Sequence, residues 1–115
     1  MTGQDAELPA IQRIIAGDQF MTIYKPLKTL AESAADAACD MASGKAVDTT
    51  KFNATENNGT ADIVTQKIAV IPVTIDGALA GTKSIVASVI ADAFYTAPDI
   101  CTGDFAAACT AAGIK

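Results

Sequence analysis

The chain has 115 residues, half of them hydrophobic, enough for one small core, although alanine supplies much of that apolar fraction and buries little area. Eight basic against thirteen acidic residues give a net charge of −5, and no Lys/Arg cluster forms a patch, so a nucleic-acid partner is excluded. There is no histidine, which excludes Ser-His-Asp and Cys-His catalysis and removes the usual nitrogen ligand of zinc.

The first element is a helix. Leu8, Ile11, Ile14 and Ile15 recur at helical spacing, Gln12 and Arg13 face outward, and Gly17 ends the run. Asp5 is its candidate cap. Pro9 would then fall at the fourth helical position, which predicts a start one or two residues late. "FMTIY" follows as a short buried strand, rich in aromatic and β-branched residues. A polar turn, a helix and a strand read as the second half of a β-α-β unit whose first strand is expected upstream of Gly3.

Pro26 opens a second helix. Leu27, Leu30, Ala31, Ala34, Ala38 and Met41 form its apolar stripe, Lys28, Glu32, Asp36 and Asp40 its polar one, and Gly44 stops it. Cys39 sits among its alanines and reads as a small buried hydrophobe. From Lys45 to Gln66 the chain is polar, with a turn at "ENNGTAD". "KIAVIPVTI" is β-like, but Pro72 places it at an edge, a bulge or a crossing rather than a sheet centre. "IVASVI" reads as extended, and a short helix is expected around Phe105 to Ala112. No apolar run approaches the ~20 residues that span a bilayer, and this chain shows no signal peptide at its N-terminus.

Two motifs are decoys. "DGALAGTKS" resembles a phosphate loop, but Thr82 separates Gly81 from Lys83 and breaks the frame. The triplets at Asn53 and Asn58 match a glycosylation acceptor only by common chance. The pair in "CTGDFAAAC" is different. In a continuous helix Cys101 and Cys109 would stand about 12 Å apart, too far to bridge, whereas a break at Gly103 lets the loop close. A disulfide and two buried thiols both remain open on spacing; the tail context predicts the bridge, with Cys39 free.

Asp5 and Lys25 follow a turn and a strand, at the end of an open α/β sheet where ligands bind. A carboxylate and an ammonium together serve sugar hydroxyls. On spacing alone the plainer reading is stronger: a helix cap and a solvated charge. "TGQDAELPAIQRIIAGDQFMTIYKPLKTLAESAADAACDMASGK", "NNGTADI" and "VIADAFYTAPDICTGDFAAACTAAGI" together resemble the C-terminal region of the D-xylose-binding proteins of bacterial ABC transporters, in the type I periplasmic sugar-binding family. The resemblance covers nearly the whole chain. It implies that Asp5 and Lys25 contact the sugar, with Gln4 beside them.

The resemblance further implies an α/β fold: an incomplete C-terminal lobe with helices on a small, mostly parallel sheet. Residues 1–67 are expected to form that partial lobe, 68–75 the inter-lobe hinge strand, and 76–115 a tail packed on an N-terminal lobe. The expected function is non-enzymatic capture of xylose or a related monosaccharide, outside the cytoplasm, for a membrane permease, with no cofactor or metal. The expected macromolecular partners are that permease and the N-terminal lobe or a second copy. The alternative is a non-catalytic interaction module that self-associates and binds no sugar.

Overall fold

Pro9 decides where the first helix begins. In the computed structural model, which describes residues 1–115, helix α1 runs Leu8–Ala16 with Pro9 in its first turn. Capping at Asp5 would have put Pro9 where the first i→i−4 bond requires an N–H. Starting at Leu8 leaves its missing donor among those that have no partner anyway. Asp5 is therefore not the cap; Glu7 holds that position without a side-chain bond. Gly17 ends the helix at φ 87°, a left-handed conformation that suits glycine.

Strand β1 (Thr22–Tyr24) follows α1 in the chain. Upstream, Thr2 makes a parallel bridge to Met21. On the other side lies β4 (Ile71–Thr74), antiparallel, with Ile23 opposite Pro72. A two-residue strand, β5 (Lys83–Ser84), adds parallel to β4, so β4 is the middle of the order β1-β4-β5. The sheet is thus mixed rather than mostly parallel, and Pro72 lies in its central strand. It is tolerated because β5 reaches only Val73 and Thr74; at Pro72 the sheet is two strands wide.

The run "IVASVI" is not extended. Val86–Ile90 form a π-helical turn, with Ile90 N donating to Ile85 O at 3.1 Å. Two serines bring this about. Ser84 Oγ accepts from the Ala87 amide, and Ser88 Oγ donates to the Ser84 carbonyl at 2.6 Å. Ile85 and Val89, four residues apart, then face the core together. Beyond it come α3 (Ala97–Ile100), a 3₁₀ turn at Gly103–Phe105, and α4 (Ala106–Ala111). Helix α3, not expected from the sequence, opens on a reciprocal capping box between Thr96 and Asp99. Cys101 and Cys109 form a disulfide, with Cα atoms 5.8 Å apart.

Residues 1–25 and 70–115 make one compact unit, and residues 26–69 another. The first holds the whole apolar core: Ile11, Ile14, Tyr24, Val73, Ile85, Val89, Ile100 and their neighbours. Within this unit the tail from 76 to 115 supplies Ile85, Val89 and Ile100 to the same core as α1 and β1. Fully burying one such Ile or Val contributes about 1.5–3 kcal/mol, which is what ties the tail to α1 and β1.

The unit 26–69 is built by local rules. It contains α2 (Leu27–Ala42), a 3₁₀ turn at Thr49–Lys51, and a hairpin of β2 (Ala54–Asn57) with β3 (Asp62–Thr65). No residue in it is buried. The stripe expected on α2 is present in the pattern but exposed, Leu30 by 53% and Met41 by 68%. Cys39, expected to be buried, is exposed as well, because α2 carries no buried face. No helix of the chain is long and apolar enough to cross a membrane.

Candidate functional site

Two parallel segments end side by side at the proposed site. Thr2, through its parallel bridge to Met21, leads into the turn that carries Asp5, and β1 leads into Lys25. Lys25 therefore lies past the carboxyl end of β1, and Asp5 lies past a single-residue parallel bridge beside it. Lys25 Nζ lies 2.6 Å from Asp5 Oδ1, with the side chains 43% and 54% exposed. Gln4 is exposed on the same turn.

The turn is held from beneath by polar side chains that periodicity did not single out. Thr22 is wholly buried and its hydroxyl donates to the Asp5 carbonyl at 2.8 Å. The Gly3 amide donates to the Met21 carbonyl at 3.0 Å. Gln19, also buried, accepts from Arg13 Nε at 3.1 Å and donates to the Met21 carbonyl at 2.9 Å. A Cβ on Gly3 would stand 2.7 Å from Gln19 Nε2, so a larger residue there would push the Gln19 amide away from its present position. The clamp leaves Asp5 at φ 66°, in the left-handed region that aspartate tolerates better than most residues. A strained backbone at an exposed charged residue is a mark of functional sites. The sequence signal for Thr22 and Gln19 was faint: polar residues inside or beside a buried strand.

What the pair can do follows from its donors and acceptors. The ammonium has three N–H groups, one aimed at Asp5; the carboxylate has further lone pairs. A hydroxyl placed against both donates to the carboxylate and accepts from the ammonium. A cavity of about 550 Å³ lies at the opposite end of β1, lined by residues such as Ile14, Phe20, Ile75 and Leu79, and does not include the pair.

The chain is 35% identical over 100 residues to the D-xylose-binding periplasmic protein of Haemophilus influenzae, covering 87% of this chain and 27% of that protein. With the Escherichia coli protein of the same name the identity is 37% over 95 residues, or 83% and 26% of the two chains. The multiple sugar-binding periplasmic receptor ChvE of Rhizobium radiobacter is 36% identical over 76 residues, covering 66% of this chain and 21% of the receptor. Among solved structures, the carbohydrate transporter solute-binding protein of Chloroflexus aurantiacus, in complex with D-glucose, superposes with a TM-score of 0.69 at 34% identity, covering 85% of this chain and 26% of that one. An ABC transporter solute-binding protein of Clostridium phytofermentans with bound β-D-glucose gives 0.64 at 19% identity, covering 86% and 28%, a likeness of fold alone. No family model matches the chain. The chain spans about a quarter of the length of the curated relatives it matches.

Proposed function

From the premise that this chain matches, in sequence and fold, about a quarter of the length of periplasmic sugar-binding proteins, we propose that it is part of their C-terminal lobe and supplies one wall of a monosaccharide site. The parent protein captures xylose or a related sugar in the periplasm and offers it to a membrane permease. Asp5 and Lys25 bind the sugar hydroxyls, and Gln4 flanks them. The observation that carries this reading is the Asp5–Lys25 pair at 2.6 Å, half-exposed past the end of β1 and the parallel bridge beside it, with Asp5 held in a left-handed conformation.

A hydroxyl that donates to Asp5 while accepting from Lys25 uses both halves of the pair at once, and charge-assisted bonds of this kind are the stronger ones. One wall supplies few of the contacts that a monosaccharide needs. The chain by itself is expected to bind D-xylose no better than about millimolar, near −4 kcal/mol. Titration with D-xylose, followed by amide shifts in two-dimensional NMR, should move Gln4, Asp5 and Lys25. Asp5→Ala and Lys25→Met should abolish those shifts, while Lys28→Met, on α2, should leave them intact. Shifts that persist in Asp5→Ala, or none at these residues in the unsubstituted chain, would remove the proposed contacts.

A further inference from the structure

The turn bearing Asp5 and the strand end bearing Lys25 are each tied, one or three residues away, to a single stretch of the tail. Tyr24, next to Lys25, donates its hydroxyl to Asp92 Oδ2 at 3.0 Å. The Leu8 amide, at the start of α1 and three residues after Asp5, donates to the Tyr95 hydroxyl at 3.2 Å. That amide belongs to the first turn of a helix whose cap residue, Glu7, makes no side-chain capping bond, so Tyr95 serves as a cap from 87 residues away. Between the two anchors Phe94 packs against both rings, with centroids 5.4 Å from Tyr24 and 4.8 Å from Tyr95.

We infer that the Asp92–Tyr95 segment is a positioning element for the Asp5–Lys25 pair, a strap that fixes the spacing between the turn and the strand end. The inference rests on the sugar-site reading above for its purpose, but not for its geometry. Ala93, in the middle of the strap, takes φ 54°, which alanine adopts only under constraint from its surroundings. That kink turns the chain between the Asp92 carboxylate and the Tyr95 ring. Tyr24 is 1% exposed, and its burial followed by the Asp92 bond pushes its pKa up to about 12, so the hydroxyl stays a donor at neutral pH. The pair itself is half-exposed, and a surface ion pair is too weak to set its own geometry. The strap acts through Tyr24 and Leu8 and touches neither charged group.

Two measurements on the 115-residue chain decide the matter. The first is the NMR cross-peak between Lys25 Hε and Asp5 Hβ, together with the strong HN–Hα cross-peak that a left-handed Asp5 gives. Tyr24→Phe combined with Tyr95→Phe keeps all three rings and removes both anchors; the Lys25–Asp5 cross-peak should be lost while tyrosine-free folding signals and the disulfide persist. A folded double variant that keeps the cross-peak at full intensity overturns the inference. Should that variant not fold, Asp92→Asn and Asp92→Ala decide instead. The amide oxygen of Asn still accepts from Tyr24, so the cross-peak should survive in Asn and vanish in Ala; the same result in both overturns the inference. The second measurement is the D-xylose shift at Lys25 and Asp5, which should weaken in the double variant and in Asp92→Ala and persist in Asp92→Asn. Absence of that shift in the unsubstituted chain would remove the sugar reading and leave the cross-peak test of the strap standing.

Discussion

Ile100→Ala tests whether the tail belongs to the same core as α1 and β1. Ile100 is wholly buried in the cluster with Ile11, Ile14 and Val73. The substitution removes three carbon groups at about 0.8 kcal/mol each, or roughly 2.4 kcal/mol of transfer free energy. The cavity left behind raises the expected loss to about 2–5 kcal/mol. For a unit of this size each kcal/mol shifts the melting temperature by about 4–8 °C, so a fall of at least roughly 10 °C is expected. The bond from Gln12 Nε2 to the Ile100 carbonyl uses the backbone and is untouched. Both tyrosines lie in the unit 1–25 with 70–115, so tyrosine fluorescence in urea reports on it selectively. Leu79→Ala, at a side chain 52% exposed, is the control and should cost under about 0.5 kcal/mol. An Ile100→Ala variant as stable as that control would refute the shared core.

Thiol titration of the denatured, unreduced protein should find one reactive group, Cys39, and because Cys39 is exposed the native protein should give the same count; three would contradict the bridge. Reduction of the Cys101–Cys109 bridge removes a loop constraint worth about 2.5 kcal/mol in the chain-entropy model and should lower the urea midpoint accordingly. At high pH the sign follows from Tyr24: its folded pKa of about 12 exceeds the ordinary value of 10.0, so the stability it contributes is fully present below pH 10 and is lost as pH rises toward 12. Tyr24→Phe, less stable at neutral pH, should show a flatter alkaline limb in denaturant midpoints, and an unchanged slope would count against a buried, Asp92-bound hydroxyl.

Sequence patterning disclosed the elements whose burial and period agree. The spacing of Leu8, Ile11, Ile14 and Ile15 is helical, and Ile11, Ile14 and Ile15 are buried; Pro9 correctly delayed the start. "FMTIY" is a strand over its last three residues. Only the resemblance singled out Asp5 and Lys25, since on spacing a cap and a solvated lysine are the stronger reading; the structure brings the two side chains together as an ion pair. Where patterning failed, short-range hydrogen bonding outweighed it. Ser84 and Ser88 curl a β-branched run into a π-helical turn, and the capping box of Thr96 and Asp99 founds a helix only four residues long.

The hairpin of the unit 26–69 shows the same rule from the other side. Its strands have no alternating apolar face to betray them, with Thr55, Glu56, Asn57 and Asp62 among their eight residues. What fixes their register is the turn. Asn58 Oδ1 accepts from the amides of Thr60 and Ala61 at 2.9 Å, Asn57 Oδ1 accepts from Gly59 at 2.8 Å, and Asn57 Nδ2 reaches Asp62 at 2.7 Å. Farther along, the Asn53 side chain binds the backbone of Lys67 through both its amide atoms. The run "ENNGTAD" therefore encodes more than a break in the chain: its asparagines align two strands that bury nothing. Exposed polar bonds of this kind are each worth little, and α2 buries no residue fully. Stability in this chain is accordingly concentrated where the Asp5–Lys25 pair is mounted, on the one unit that has a core.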